Sequence, residues 1–266
     1  MSQVAAHRLP HWRGLSAALL SGLVLIATAL YSAASTGGLD RAITSAVNLA
    51  THGHRLLDHF FLALDEGPFL SGSILVGLVW YCWFQFPAVH ARAQLMVGPV
   101  TALGCGLASR LFQLLLPSHL RPLHDPLLAF QLPAGVEPGK LSGWSSFPSD
   151  HATVFAGLAY ILYRSYPRAG LIAAAAAILF DFARIYLGYH YTSDVIGGTA
   201  LGVLGVALML NPLALSIGRW LLRYETSRPG LFYLCAFVIT FGLADLFIDI
   251  RVIAAGLAHD FGFHAR

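Results

Sequence analysis

Leu15–Ala34 is a run of twenty residues without a charge. Comparable apolar blocks recur at Phe69–Phe86, Leu95–Leu116, Ala152–Tyr163, Ala169–Phe180, Val195–Leu210 and Leu231–Phe247. A bilayer core of ~30 Å is crossed by roughly 20 helical residues rising 1.5 Å each, so blocks of this length predict membrane-spanning helices. They are too continuous for the short alternating strands of an outer-membrane barrel. Arg110 interrupts the third block and Asp245 lies inside the seventh. The fourth regains spanning length by starting at Phe147, and the fifth by running on to Leu187. Charged residues make up only 11% of the chain, where soluble domains carry about a quarter. The expected fold is all-α: a polytopic membrane bundle of six core spans plus a seventh.

Other classes fall away quickly. Three cysteines in separate apolar blocks do not make a disulfide scaffold. A net charge of +3 from scattered arginines, with no basic run, leaves no footprint for nucleic acid. Arg8 and Arg13 precede the first block and Ser32–Ser35 follow it, as in a cleaved signal peptide, but the charge-free run is longer than a usual signal core and favours a retained span. Counting spans puts loops 35–68, 117–146 and 188–194 on one face, and loops 87–94, 164–168 and 211–230 on the other with the N-terminus. The second face holds Arg8, Arg13, Arg92, Arg164, Arg168, Arg219, Arg223 and Arg228, a modest positive-inside bias that points the N-terminus into the cytoplasm. In loop 35–68, Leu39, Ile43, Val47, Ala50, Leu57, Phe60, Phe61 and Leu64 recur at helical spacing, which predicts an amphipathic helix at the interface after the first span.

Three polar stretches converge on the face opposite the N-terminus: Leu120-Arg121-Pro122, Phe147-Pro148-Ser149-Asp150-His151, and Arg184 to Asp194. Ionisable groups at a membrane face are costly, so their convergence calls for function. Arg121 and Arg184 are bidentate donors suited to phosphoryl oxygens. Pro148, Ser149, Asp150 and His151 read as a helix N-terminus, where free N–H groups favour an anion. Asp194 is expected to cap the sixth span while holding the His190 ring, fixing its tautomer and leaving one nitrogen as an attacking lone pair. His151 is then a second imidazole, able to protonate a departing oxygen. The set requires no metal or other cofactor.

These residues resemble the three signature motifs of the type 2 phosphatidic acid phosphatase superfamily. Arg121-Pro122 is similar to its first motif, Pro148-Ser149-Asp150-His151 to its second, and Arg184-x5-His190-x3-Asp194 to its third. The resemblance implies a cytoplasmic-membrane lipid phosphatase domain over residues 1–230, with 231–266 an additional span and tail. It implies His190 as nucleophile, Asp194 as its partner and His151 as acid, with Arg121, Arg184 and Ser149 binding phosphate and Asp150 beside them. The partners would be a lipid phosphate substrate and membrane lipids, the site facing the extracytoplasmic side. Undecaprenyl diphosphate is the first substrate, because a Pro-Ser-Asp-His version resembles some bacterial undecaprenyl diphosphate phosphatases. Phosphatidic acid, phosphatidylglycerol phosphate, a lipid A phosphate, or phosphoryl transfer to another lipid use the same residues.

The family's lysine seven residues before Arg121 is Leu114 here, its serine before Arg184 is Ala183, and its motif glycine is Asp150. Arg110 lies ~16 Å from Arg121 along a continuous helix, so it replaces the missing cation only if Pro117 breaks the path. Otherwise Arg110 reads as structural, and the missing cation implies slower turnover, a different phosphate pose, or replacement by His119, His124 or Lys140. Asp181, three residues before Arg184, is expected to orient that arginine. The group His52, His54, Asp58 and His59 reads as a solvated interfacial helix in preference to a metal site. A transporter resting on Arg110, Asp245 and Asp249, and an inactive scaffold suggested by Leu114, are the rivals from other classes.

Overall fold

A computed structural model describes residues 11–34, 38–51, 53–67, 70 and 72–244. Within them lie ten α-helices: α1 (His11–Ala34), α2 (Gly38–Thr51), α3 (Arg55–Glu66), α4 (Gly72–Gln85), α5 (Val89–Leu115), α6 (Asp150–Ser165), α7 (Pro167–Tyr186), α8 (Thr192–Met209), α9 (Pro212–Ser227) and α10 (Pro229–Ala244). The architecture is all-helical over these residues. Gly14–Ala34, Val89–Leu115, Pro167–Tyr186 and Thr192–Met209 are long and apolar enough to cross a membrane, while α4 and α10 are shorter apolar helices. Leu19, Leu23 and Leu30 on α1, Leu107 on α5, Ile178 on α7 and Phe241 on α10 stay exposed, which in a bilayer is contact with lipid.

α6 is the centre, packed against α5, α7 and α8, with little of its surface outside the bundle. Its approach to α8 needs glycine. A Cβ on Gly198 would stand 2.3 Å from the Ser149 carbonyl oxygen, and one on Gly202 2.0 Å from that of Thr153. Small residues of this kind let two membrane helices touch by their backbones. Here they bring the N-termini of α6 and α8 together, and the Ser149 N–H donates to the Asp194 carbonyl at 3.1 Å.

Two segments depart from the pattern. The amphipathic stretch after the first span divides into α2 and α3. Gly53 between them has φ +87°, a left-handed conformation that ends helices. Residues 211–230, expected as a loop, fold as α9. Asn211 caps it by accepting the Ala214 N–H at 3.0 Å, Pro212 opens it, and Gly218 seats it against the Ala93 backbone of α5. The opposite end of α5 carries the site, together with the long connection 116–149, whose one regular element is a short 3-10 turn at Pro122–His124.

Candidate active site

The third stretch is folded by the end of α7. Gly188, with φ +74°, turns the chain back so that the N–H groups of Tyr189 and His190 both reach the Arg184 carbonyl, at 2.9 and 3.3 Å. A Cβ at Gly188 would meet the Phe130 ring at 2.6 Å, so conformation and space both demand glycine. This reversal brings Arg184 and His190 to one place despite the residues between them.

His190 is fully buried. Its Nδ1 lies 2.9 Å from the Ser146 carbonyl, and its Nε2 3.2 Å from Arg121 Nη1. The carbonyl can only accept and the guanidinium can only donate, so Nδ1 carries the proton and Nε2 the lone pair. Burial, then the neighbouring Arg121 charge, pushes the His190 imidazole down to about 3, far below the usual histidine value.

Asp194 caps α8 as expected, accepting the Tyr191 N–H at 2.7 Å. Its hold on the His190 ring is less direct than expected, since Nδ1 is 3.7 Å from Asp194 Oδ2 and bonds to Ser146 instead. Ser146 joins the two: its hydroxyl donates to Asp194 Oδ2 at 2.5 Å while its carbonyl takes the ring. His119 Nδ1 lies 3.3 Å from Asp194 Oδ1. Burial opposes the charged form of His119, but Asp194 outweighs it and raises the imidazole above its ordinary value. The motifs did not include Ser146, and His119 was weighed only as a stand-in for lysine. Ser146 stands two residues before Pro148 and had no charge or spacing to mark it.

Arg121 is 2% exposed, and its guanidinium donates to the carbonyls of Trp144, Ser145 and Tyr189 at 3.2, 3.0 and 2.7 Å. Burial first, then repulsion from Arg184 and Arg110, lowers it to about 9. Arg121, Arg184 and Arg110 are therefore close enough to feel one another's charge. Arg184 forms an ion pair with Asp65 of α3. This corrects the reading of Asp181, whose Oδ1 is buried without a hydrogen-bond partner. Sequence separation hid Asp65, 119 residues from Arg184. Asp58, expected on a solvated helix, is buried and accepts from the Tyr186 hydroxyl at 2.5 Å and the Ala134 N–H at 3.0 Å, pinning α3 across the site.

Ser149 is the N-cap of α6, its hydroxyl accepting the Ala152 N–H at 3.4 Å. Asp150 lies between Arg110 Nη2 at 2.6 Å and His151 Nδ1 at 3.0 Å. Arg110 is thus a site residue and not a remote structural charge. The helix stops at Leu115, the chain turns at Leu116 into extended backbone, and Arg121 returns over the helix end. Gln113 and Ser109 hold the Pro148 carbonyl at 2.8 and 3.1 Å, fixing α5 to the second stretch. Leu114 is 60% exposed and turned away. His124 binds the Lys140 carbonyl and Lys140 pairs with Glu66, so neither replaces a cation at the centre. Asp245, Asp249 and His52 lie outside the described residues. An apolar cavity of about 60 Å³, lined by Val79, Trp83, Leu95, Pro99, Phe232 and Thr240, sits about three turns away along α5 and carries no ionisable group.

A neutral imidazole with a fixed tautomer, guanidiniums at one side, a helix N-terminus and a second imidazole can bind a phosphoryl anion and exchange its oxygens. Fold and site together define a multi-pass helical membrane protein with a buried polar centre of arginines, histidines and carboxylates. Over residues 100–215, which include all three polar stretches, the chain matches the family model described as PAP2 superfamily. It is 28% identical over 182 residues to the lipid A 1-diphosphate synthase of Escherichia coli (64% of this chain, 74% of that protein). It is 21% identical over 166 residues to the undecaprenyl-diphosphatase BcrC of Bacillus subtilis (62% and 80%). A transmembrane PAP2-type phosphatidylglycerolphosphate phosphatase of known structure from Bacillus subtilis aligns with a TM-score of 0.48 and 21% identity, covering 74% of this chain and 94% of that one.

Proposed function

We propose that the chain hydrolyses a lipid phosphate or diphosphate through a phosphohistidine on His190, with undecaprenyl diphosphate the first substrate. The observation that carries this reading is the His190 ring: buried, neutral, its Nδ1 proton given to Ser146, and its Nε2 lone pair facing the arginine cluster. Arg121, Arg184, Ser149 and the α6 N-terminus bind the phosphoryl group. His190 Nε2 attacks phosphorus, His151 protonates the leaving oxygen, and water then releases inorganic phosphate. Asp194 acts on His190 through Ser146 and by its charge.

In this reading α1, α4, α5, α6, α7 and α8 span the cytoplasmic membrane, and α10 is the seventh span. Residues 1–230 form the phosphatase domain, to which 231–266 add a span and tail. α10 packs chiefly on α4, α9 and α5, away from the polar centre, which supports that division. The site faces the extracytoplasmic side, as the arginines at the opposite loops suggest, and the lipid tail stays in the bilayer. The similarity to a lipid A 1-diphosphate synthase supports a second reading, transfer of the phosphoryl group to another lipid instead of water.

Purified protein in detergent, assayed on phosphatidic acid, phosphatidylglycerol phosphate, a lipid A phosphate and undecaprenyl diphosphate, tests both readings. Phosphate is released from at least one substrate by wild type and not by His190→Ala; undiminished release by the variant overturns the mechanism. Labelled phosphate appearing on an added acceptor lipid selects the transferase. A reporter fused at residue 140 that reads cytoplasmic reverses the topology.

A further inference from the structure

The motif chemistry leaves Asp150 without a task, and a carboxylate at an anion-binding helix N-terminus repels the ligand it should attract. The surroundings resolve this. Asp150 Oδ2 is 2.6 Å from Arg110 Nη2, and Asp150 Oδ1 takes both the His151 N–H and His151 Nδ1 at 3.0 Å. Arg110 is itself steadied by Gln113 Oε1 at 2.9 Å and lies over the Trp144 ring at 5.2 Å.

We propose that Asp150 is the positioning residue for His151, and that Arg110 is the cation that makes a carboxylate tolerable at the phosphate site. The inference rests on the phosphatase reading above. With Nδ1–H held by the carboxylate, His151 acts as an imidazolium, and the proton it transfers is the one on Nε2, which leaves a neutral ring. During the first step the His190 Nε2–phosphorus bond forms and the bond from phosphorus to the leaving oxygen breaks. That oxygen keeps the electron pair and takes the Nε2 proton of His151, while the Nδ1 proton stays on the Asp150 side. Arg121 and Arg184 remain with the phosphoryl oxygens. Arg110 offsets Asp150, so that carboxylate adds no uncompensated negative charge where the phosphate arrives.

The roles separate by leaving group. A short-chain phosphatidic acid departs as an alkoxide and needs a proton, whereas p-nitrophenyl phosphate departs as a stable phenolate and needs little. Asp150→Asn lowers kcat on the first by about 10- to 100-fold, part of the usual contribution of a general acid, and leaves kcat on the second within about threefold. Arg110→Gln leaves the carboxylate uncompensated and raises KM for both substrates by about tenfold, a coupling normal for a close charge pair. Arg110→Lys restores the wild-type KM, and Arg110→Gln with Asp150→Asn brings KM back toward it. The ratio of the two rates does not depend on the fraction of protein folded, so partial misfolding cannot imitate the result. Equal losses on both substrates for Asp150→Asn, or a double variant no better than Arg110→Gln, overturn the inference and leave the phosphatase reading standing. Failure of that reading shows differently, as wild type that releases phosphate from none of the four lipid substrates named above or a His190→Gln variant as active as wild type.

Discussion

Asp194 and Asp150 stand at the N-termini of α8 and α6, each beside a histidine, and they are held in different ways. Asp194 is fully buried and takes three donors: the Tyr191 N–H, the Ser146 hydroxyl and His119. Its histidine, His190, is positioned mainly by a backbone carbonyl and is also fully buried. Asp150 answers chiefly to a side-chain partner, the guanidinium of Arg110, and its histidine keeps 14% of its side chain exposed. Backbone anchoring gives a fixed angle of attack. A charge pair gives a position that a bound phosphate can adjust. On the proposed mechanism, the difference puts the nucleophile in the fully buried half of the site and the acid in the less buried half.

The largest expected effect lies on the fully buried side. His190→Gln removes the attacking nitrogen and lowers phosphate release at least ~10³-fold on every substrate, as loss of a nucleophile does. A residual rate within tenfold of wild type breaks the comparison, because the fully buried half would then not hold the reacting atom. Next, Ser146→Ala removes one charged hydrogen bond to Asp194, worth about 1.5–3 kcal/mol, and lowers kcat about 10- to 100-fold. Unlike Asp150→Asn, it affects alkyl and aryl phosphates alike, so a leaving-group dependence for Ser146→Ala would erase the distinction between the two sides.

Smaller effects sharpen the account of the frame. Tyr186→Phe removes the hydroxyl that binds Asp58 and lowers thermal stability in detergent by about 1–3 kcal/mol, with kcat changed less than about twofold. The last prediction concerns pH. The folded His190 imidazole, at about 3, lies below the ordinary value near 6.5, so the unfolded chain binds the proton first. Its contribution to stability is complete above about 6.5 and is lost as the pH falls toward 3. The Tm advantage of wild type over His190→Gln should therefore narrow between pH 7 and pH 5. An advantage that stays constant contradicts a neutral, buried ring.

Much of the fold can be read in the chain. The four long spans fall where long apolar blocks lie, since length and hydropathy act locally. Ser149 as a helix cap and Asp194 as a cap of α8 follow from position alone. Arg110 was harder, because its separation from Arg121 is prohibitive on a continuous helix, and the helix ends at Leu115 with extended backbone after it. α9 carried helix-starting signals at Asn211 and Pro212, but it lies between two longer apolar blocks, and counting spans left it as a loop. Asp65 and Asp58 could not be assigned, because an acidic residue on an amphipathic helix looks the same whether it faces water or a buried partner. Asp181 was assigned to Arg184 by spacing, and the arginine found its carboxylate on α3 instead.

The sequence by itself determined that this is a helical membrane protein whose few polar groups gather in three stretches, because hydrophobic length and motif spacing are properties of neighbouring residues. Only the tertiary structure decided which carboxylate serves which cation: Arg110 with Asp150, Arg184 with Asp65, and His190 with Ser146 between it and Asp194. Partner choice in a buried polar centre depends on distances of a few ångströms between helices, set by contacts such as Gly198 and Gly202 against α6 and by the turn at Gly188. Such distances arise only when the helices have packed.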